Sequence, residues 1–237
     1  MALGRLAKRY EKEIKMDIKP LPRLTKTLCM LLKVNIAITV LAVAAGFYDY
    51  YSYANLPPEV DPSETMLPSD IAVAIVGLVQ TILLIIVGIT FLRWIYRTNK
   101  NLHALSGQHM RFSPGWSVGW YFIPIANLFK PYQAMREIWQ VSHKNEPATD
   151  SIVGWWWFLW IVSTFVGQLA FKLVMRADSA EDYVTSAFTY IASDGIDVIL
   201  NIVALNIVTQ IGMAYSKNFV EQGTALDADS AALHPGQ

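Results

Sequence analysis

Residues Ile71 to Leu92 carry no charged side chain, and neither do Ser151 to Phe171. A bilayer core about 30 Å thick needs roughly 20 apolar residues to cross as a helix, so each run predicts a transmembrane helix. Val34 to Tyr48 is shorter, but it extends back to Leu28 if Lys33 snorkels its ammonium to the headgroups. A fourth window, about Ser186 to Met213, is apolar except for Asp194 and Asp197. The expected fold is therefore an all-α integral membrane protein with spans near 28–48, 71–92, 151–171 and 186–213. Composition agrees: 16% of the 237 residues are charged, against roughly 25% in soluble domains. Net charge is zero and no basic stripe or zinc-finger spacing appears, which argues against nucleic acid as a partner.

The flanks fit spanning helices. Tyr48, Tyr50, Tyr51 and Tyr53 close the first window, Trp94 and Tyr96 the second, and Trp155, Trp156, Trp157 and Trp160 open the third; such rings favour the membrane interface. The amino-terminal stretch (Arg5 to Lys26) and the loop holding Arg93, Arg97, Lys100, Arg111, Lys130, Arg136 and Lys144 are basic, whereas the loop with Glu59, Asp61, Glu64 and Asp70 has no base. The positive-inside rule then places both termini in the cytoplasm. Ala42-Val43-Ala44 resembles a signal cleavage site, but the basic region before it is too long for a signal peptide. The single cysteine, Cys29, leaves no internal disulfide; the readings are juxtamembrane lipidation or a buried inert thiol.

Between the spans, Leu3, Leu6, Tyr10, Ile14 and Ile18 form an apolar stripe opposite basic residues, so residues 1–27 predict a cytoplasmic amphipathic helix on the membrane surface or on the protein's own loop. Pro57, Pro58, Pro62 and Pro68 mark an irregular exterior loop, and residues 217–237 a polar, disordered tail. The segment 114–140 is the most unusual. Ser113-Pro114 is a helix start, yet the uncharged run ends at Phe129 and contains Pro124, which breaks a helix. A full crossing would put Lys130, Arg136 and Lys144 outside. The expectation is a broken, re-entrant or interfacial segment on the cytoplasmic side, with Pro124, Asn127 and Pro131 at the break and a fifth span as the alternative. Tyr132, Met135, Ile138 and Trp139 then predict a second interfacial helix.

Three groups of residues together resemble the bacterial membrane family called domain of unknown function 4328: Arg93-Trp94-Ile95-Tyr96-Arg97 with Asn99 and Asn101; Trp120-Tyr121-Phe122-Ile123-Pro124-Ile125-Ala126-Asn127-Leu128 with Pro131 and Glu137-Ile138-Trp139; and Trp155-Trp156-Trp157. The resemblance covers roughly Ile71 to Phe171. It implies a bacterial multi-pass membrane protein and carries over no activity, and it does not include the two aspartates.

At about 100° per residue, Tyr190, Asp194, Asp197 and Asn201 share one face of the fourth helix about 60° wide. Ionisable residues at membrane depth cost about 2.5–3.5 kcal/mol on insertion scales and mark ion paths, proton relays or structural pairs. The alternatives are a polar seam that locks helix packing, paired with Lys172, Arg176 or hydroxyls, or a late helix start that leaves Asp194 near the surface. Gln80, Thr81, Ser163, Thr164 and Gln168 are positioned to extend such a seam, and Gly77, Gly88 and Gly167 read as sites of close helix approach. His103, His109, His143 and His234 all fall outside the spans, which argues against haem held between helices and against a metal site. No phosphate loop, dinucleotide fingerprint or nucleophile elbow occurs.

We therefore expect no cofactor and a non-enzymatic protein of the bacterial inner membrane that binds or supports another membrane component, a partner protein or a second copy. The alternatives are a small ion or proton-coupled transporter using the carboxylates, and a lipid-binding protein.

Overall fold

The computed structural model describes residues 20–106, 109–144 and 150–221. The amino-terminal amphipathic stretch to residue 19 and the tail from residue 222 lie outside the described residues. Among the described residues six α-helices follow in order: α1 (Pro20–Ala54), α2 (Pro68–Leu105), α3 (Pro114–Gly119), α4 (Lys130–Ser142), α5 (Ser151–Val174) and α6 (Ala180–Tyr215). Two single turns of 3-10 helix, Trp120–Phe122 and Ala126–Leu128, separate α3 from α4, and α6 runs on as a π-helical turn, Ser216–Glu221.

The helix starts follow from local chemistry. Pro20, Pro68, Pro114 and Pro131 stand in first turns, where a missing N–H costs nothing. Ser113 caps α3 by accepting from the Trp116 N–H. Ahead of α6, Ser179 and Asp182 exchange bonds reciprocally: the Ser179 N–H donates to Asp182 Oδ2 (3.1 Å), and the Asp182 N–H to Ser179 Oγ (3.2 Å). The helices outrun their apolar windows because nothing stops them; α2 continues from Arg93 to Leu105 without glycine or proline.

α1, α2, α5 and α6 are each long and apolar enough to cross a bilayer. In the most apolar window of α2 only 6% of the residues are covered by protein, a surface that water would not tolerate.

The chain divides into two compact units. Of the described residues, the first takes those within 1–29, 89–153 and 206–237. Its core holds Leu28, Trp94, Ile95, Leu102, Met135, Ile138, Ile207, Ile211 and Tyr215. The Trp94 indole donates to Thr25 Oγ1 (2.9 Å) and Asn101 Nδ2 to the Tyr215 hydroxyl (3.1 Å). Gly212 allows Thr25 to approach: a Cβ there would stand 2.8 Å from Thr25 Cγ2. The Cys29 thiol, half-buried, faces Thr209 Oγ1 at 3.6 Å.

The second unit takes residues 30–88 and 154–205. Gly46 accommodates Ile191 there, whose Cγ1 would lie 2.8 Å from an added Cβ. Tyr53, expected at the membrane interface, is buried instead; it stacks on Tyr183 with ring centroids 4.6 Å apart and donates to Asp70 (2.9 Å). Of the glycines expected at close approaches, Gly167 faces Ser193 Oγ at 3.5 Å, whereas a Cβ at Gly77 or Gly88 would meet nothing within 4 Å.

The chain also stays regular further than expected. Residues 217–221, assigned above to a disordered tail, continue the helix, and Asn218 Nδ2 donates to the Ser142 carbonyl (3.0 Å).

Candidate functional site

In the second unit the polar residues of all four long helices form a seam. Asp194 accepts from Gln80 Nε2 (3.0 Å), and Asp197 accepts from Ser163 Oγ. Asn201 accepts from Asn35 Nδ2 (3.0 Å) and donates to the Asp197 carbonyl (2.7 Å). α1 thus supplies Asn35, α2 Gln80, α5 Ser163, and α6 the two carboxylates and Asn201. Tyr190 shares their face of α6 but makes no hydrogen bond to them among the described residues. Thr81 and Thr164 turn back to carbonyls of their own helices, Gly77 and Trp160. Neither Lys172 nor Arg176 reaches the aspartates; among the described residues both carboxylates are held by neutral donors only. Asn35 was legible on the same grounds as Gln80, an amide inside an apolar window.

In the first unit the broken segment has the geometry its prolines dictate. The 3-10 turn after α3 ends at Phe122, the chain turns at Pro124-Ile125, and the Asn127 N–H donates to the Ile123 carbonyl (2.7 Å). Pro124 is exposed at the turn, and Pro131 is buried at the start of α4. Glu137 on α4 clasps the bend before α3, accepting from two successive backbone N–H groups, Arg111 and Phe112. The stripe of α4, expected to lie on the membrane, is spent on protein packing: Met135, Ile138 and Trp139 are all buried. The Lys130 ammonium stands within 5.7–5.8 Å of the Phe112, Trp120 and Phe129 ring centroids, a cation held by three aromatic faces. Beyond this framework, Trp116, Phe122, Ile123, Ile125, Leu128 and Phe129 are exposed, Phe122 at 72% and Ile125 at 76%.

Several polar atoms of this unit are buried without a hydrogen-bond partner among the described residues: both side-chain atoms of Asn99, Trp120 Nε1, Asn127 Oδ1, Gln133 Oε1 and Trp139 Nε1. Burial pushes the Tyr121 hydroxyl far above its ordinary pKa, so it is neutral.

The histidines serve local structure. His103 Nε2 lies 3.0 Å from the Phe112 carbonyl, and the His143 ring stacks on Trp139 (4.5 Å) and meets its carbonyl through Nδ1 (2.8 Å). His109 is exposed, and His234 lies outside the described residues. Among the described residues no group of three or more His, Cys, Asp or Glu is placed to hold a metal ion.

These features define an all-α membrane protein with, among the described residues, four helices fit to cross a bilayer. It belongs to the family described as domain of unknown function (DUF4328), which matches residues 59–212. That match reaches beyond the stretch carrying the sequence resemblance and takes in most of α6 with both aspartates. No curated protein and no solved structure matches the chain.

Proposed function

We propose that the chain is a non-enzymatic, multi-pass protein of a bacterial inner membrane that binds another protein of that membrane through its broken segment. The observation that carries this reading is the exposed apolar surface from Trp116 to Phe129, raised on a framework that holds it in place. Water leaves such a surface uncovered at a cost of roughly 25 cal/mol per Å². Deep insertion into lipid is no remedy, because irregular backbone at membrane depth needs cover from protein or a water-filled cavity. A protein partner supplies both apolar contact and backbone partners. The basic segments before α1 and after α2, against the acidic loop at 59–70, support cytoplasmic termini and a broken segment on the cytoplasmic side. The lack of a catalytic motif supports a binding role.

The test is photo-crosslinking in native membranes from positions 122 and 125. A discrete protein adduct from both, lost when the probe sits at Gln140 on the far side of α4, is the expected outcome. Lipid adducts alone, or none, would overturn the reading; a second copy of the chain as the adduct would make the protein a homo-oligomer.

A second reading rests on the seam. Two carboxylates with neutral partners in an apolar helix suit proton or cation transport. Ion or proton flux in liposomes that is unchanged by Asp194→Asn with Asp197→Asn would remove it and leave a packing role.

A further inference from the structure

Lys130 carries its charge inside the exposed apolar surface of the broken segment. Its Nζ lies 5.7 Å from the Trp120 ring centroid and 5.8 Å from those of Phe112 and Phe129. Phe129 is exposed, and Trp120 packs on the exposed Trp116 with ring centroids 4.6 Å apart. The Arg111 guanidinium stands 5.4 Å from the Phe112 centroid, so a second cation borders the same ring.

No acidic side chain pairs with either charge among the described residues. Glu137 lies two turns along α4 from Lys130, and its two oxygens each accept a backbone N–H, those of Arg111 and Phe112. Asp150 is held by Arg136 and Gln140. Lys130 is also the first residue of α4, the end of a helix where the macrodipole opposes a cation and favours an anion. Helix stability therefore does not account for a lysine at this position.

Whatever covers Trp116 and Phe129 covers Lys130 as well. Removing an ammonium from water without a counter-charge is costly, and the attraction of aromatic faces offsets only part of that cost. A carboxylate set against the ammonium would accept a short charge-assisted hydrogen bond, strengthened as the surrounding rings exclude water. We propose that the partner protein presents an acidic residue flanked by apolar side chains: its carboxylate accepts from the Lys130 ammonium, and the flanking side chains cover Trp116 and Phe129. Arg111, at the exposed margin, draws the acidic segment in. The acidic chemistry of the partner rests on the reading that the broken segment binds a protein.

The experiment is carbodiimide coupling of the full chain in open membrane fragments, which joins an amine to a carboxyl group in direct contact, run beside photo-crosslinking from position 122. The expected result is an amide between Lys130 and an Asp or Glu of the same protein that position 122 captures. Lys130→Met should lower the photo-adduct by about tenfold or more, because it leaves the partner's carboxylate covered and unpaired. Lys130→Arg should keep most of the photo-adduct, since its guanidinium retains the charge and stacks on aromatic faces, and should abolish the amide. If Lys130→Met fails to fold, the amide in the parent chain decides. A protein photo-adduct with no amide at Lys130, or with the same yield in Lys130→Met, overturns the carboxylate and leaves protein binding standing. Equal loss in Lys130→Met and Lys130→Arg overturns it too, as a packing role for the lysine. Phospholipid adducts in place of protein from position 122, or none, overturn the binding reading and the acidic partner with it.

Discussion

Gly212 is the position where adding a single methyl group should be most costly, because of what Thr25 is doing. A Cβ at Gly212 would stand 2.8 Å from Thr25 Cγ2, closer than unbonded carbons come. Thr25 has little room to yield. Its hydroxyl donates to the Leu21 carbonyl (2.9 Å) and accepts from Trp94 Nε1 (2.9 Å), and a β-branched side chain in a helix has few rotamers. Rotating Thr25 away would strip the buried Trp94 indole of its acceptor, at about 1–3 kcal/mol. Keeping it in place forces α1 and α6 apart, an overpacking strain of typically 1–3 kcal/mol. Against either, Gly→Ala recovers about 0.8–1.0 kcal/mol of helix propensity. Gly212→Ala should therefore destabilise by up to about 2 kcal/mol net, or up to about 8 °C in the midpoint of thermal unfolding in detergent at 2–4 °C per kcal/mol. The decisive control is Thr25→Ser, which removes Cγ2 and keeps the hydroxyl that Trp94 needs. In that background Gly212→Ala should be neutral or mildly stabilising. A penalty that persists in Thr25→Ser, or no penalty in the parent, refutes the claim that this contact sets the α1–α6 spacing.

Two further outcomes test the first unit. Glu137→Ala removes the acceptor of two backbone N–H groups and should cost about 1–3 kcal/mol; hydrogen exchange at the Arg111 and Phe112 amides should speed up at least tenfold, with Glu137→Gln intermediate, and unchanged exchange would refute the clasp. Arg136 Nε bonds Asp150 Oδ2 at 2.6 Å, and that hydrogen bond holds the Asp150 carboxyl below its ordinary 3.8. A depressed folded-state value contributes stability above the unfolded value and loses it as pH falls through the folded one. Asp150→Asn should thus lower the unfolding midpoint slightly at pH 7, by no more than about 1 kcal/mol for so exposed a pair, and the difference should close as pH drops below 3.8. A gap that widens in acid would refute the assignment.

What the sequence made legible divides along a physical line. Charge-free runs locate the long helices because the bilayer imposes one length on every spanning element. Pro124 locates the break because a lost N–H and a ring clash act on the local backbone whatever surrounds it. Gln80 and Ser163 read as seam residues because an amide or hydroxyl in an apolar run needs a partner. Pairing is a different matter. Gly46 and Gly212 lie against side chains while Gly77 and Gly88 face open space, and nothing about a glycine says which helix passes it. The stripe of α4 reads the same whether lipid or protein covers it, so Met135 and Trp139 were assigned to the wrong cover. The register between α1 and α2 is set by one hydrogen bond, Trp94 to Thr25, across 69 positions of sequence, and no local pattern announces it.

Both units bury side-chain polar atoms without a partner among the described residues, Asp49 Oδ1 and Ser69 Oγ in the second among them, and where such atoms cluster bears on where function lies. In the second unit Asp194, Asp197, Asn201, Asn35, Gln80 and Ser163 all find partners, as a seam in an apolar medium must. In the first unit Trp120, Asn127, Gln133 and Trp139 each bury a polar atom without a partner among the described residues, and each such atom costs about 1–3 kcal/mol unless ordered water meets it. All four lie within twenty residues of one another, on the segment that also exposes Phe122 and Ile125. Selection for stability alone would replace an unpartnered buried indole with phenylalanine. Departures from local consistency mark places where a chain serves something besides its own fold; Asn99 on α2 shows one as well, and these four lie beside the exposed apolar surface. A partner that orders this segment would have both to cover its side chains and to bring, or admit as water, the hydrogen bonds these atoms lack among the described residues. Binding should therefore protect the indoles of Trp120 and Trp139 from exchange as well as shield Phe122, a pairing that simple burial of an apolar patch would not produce.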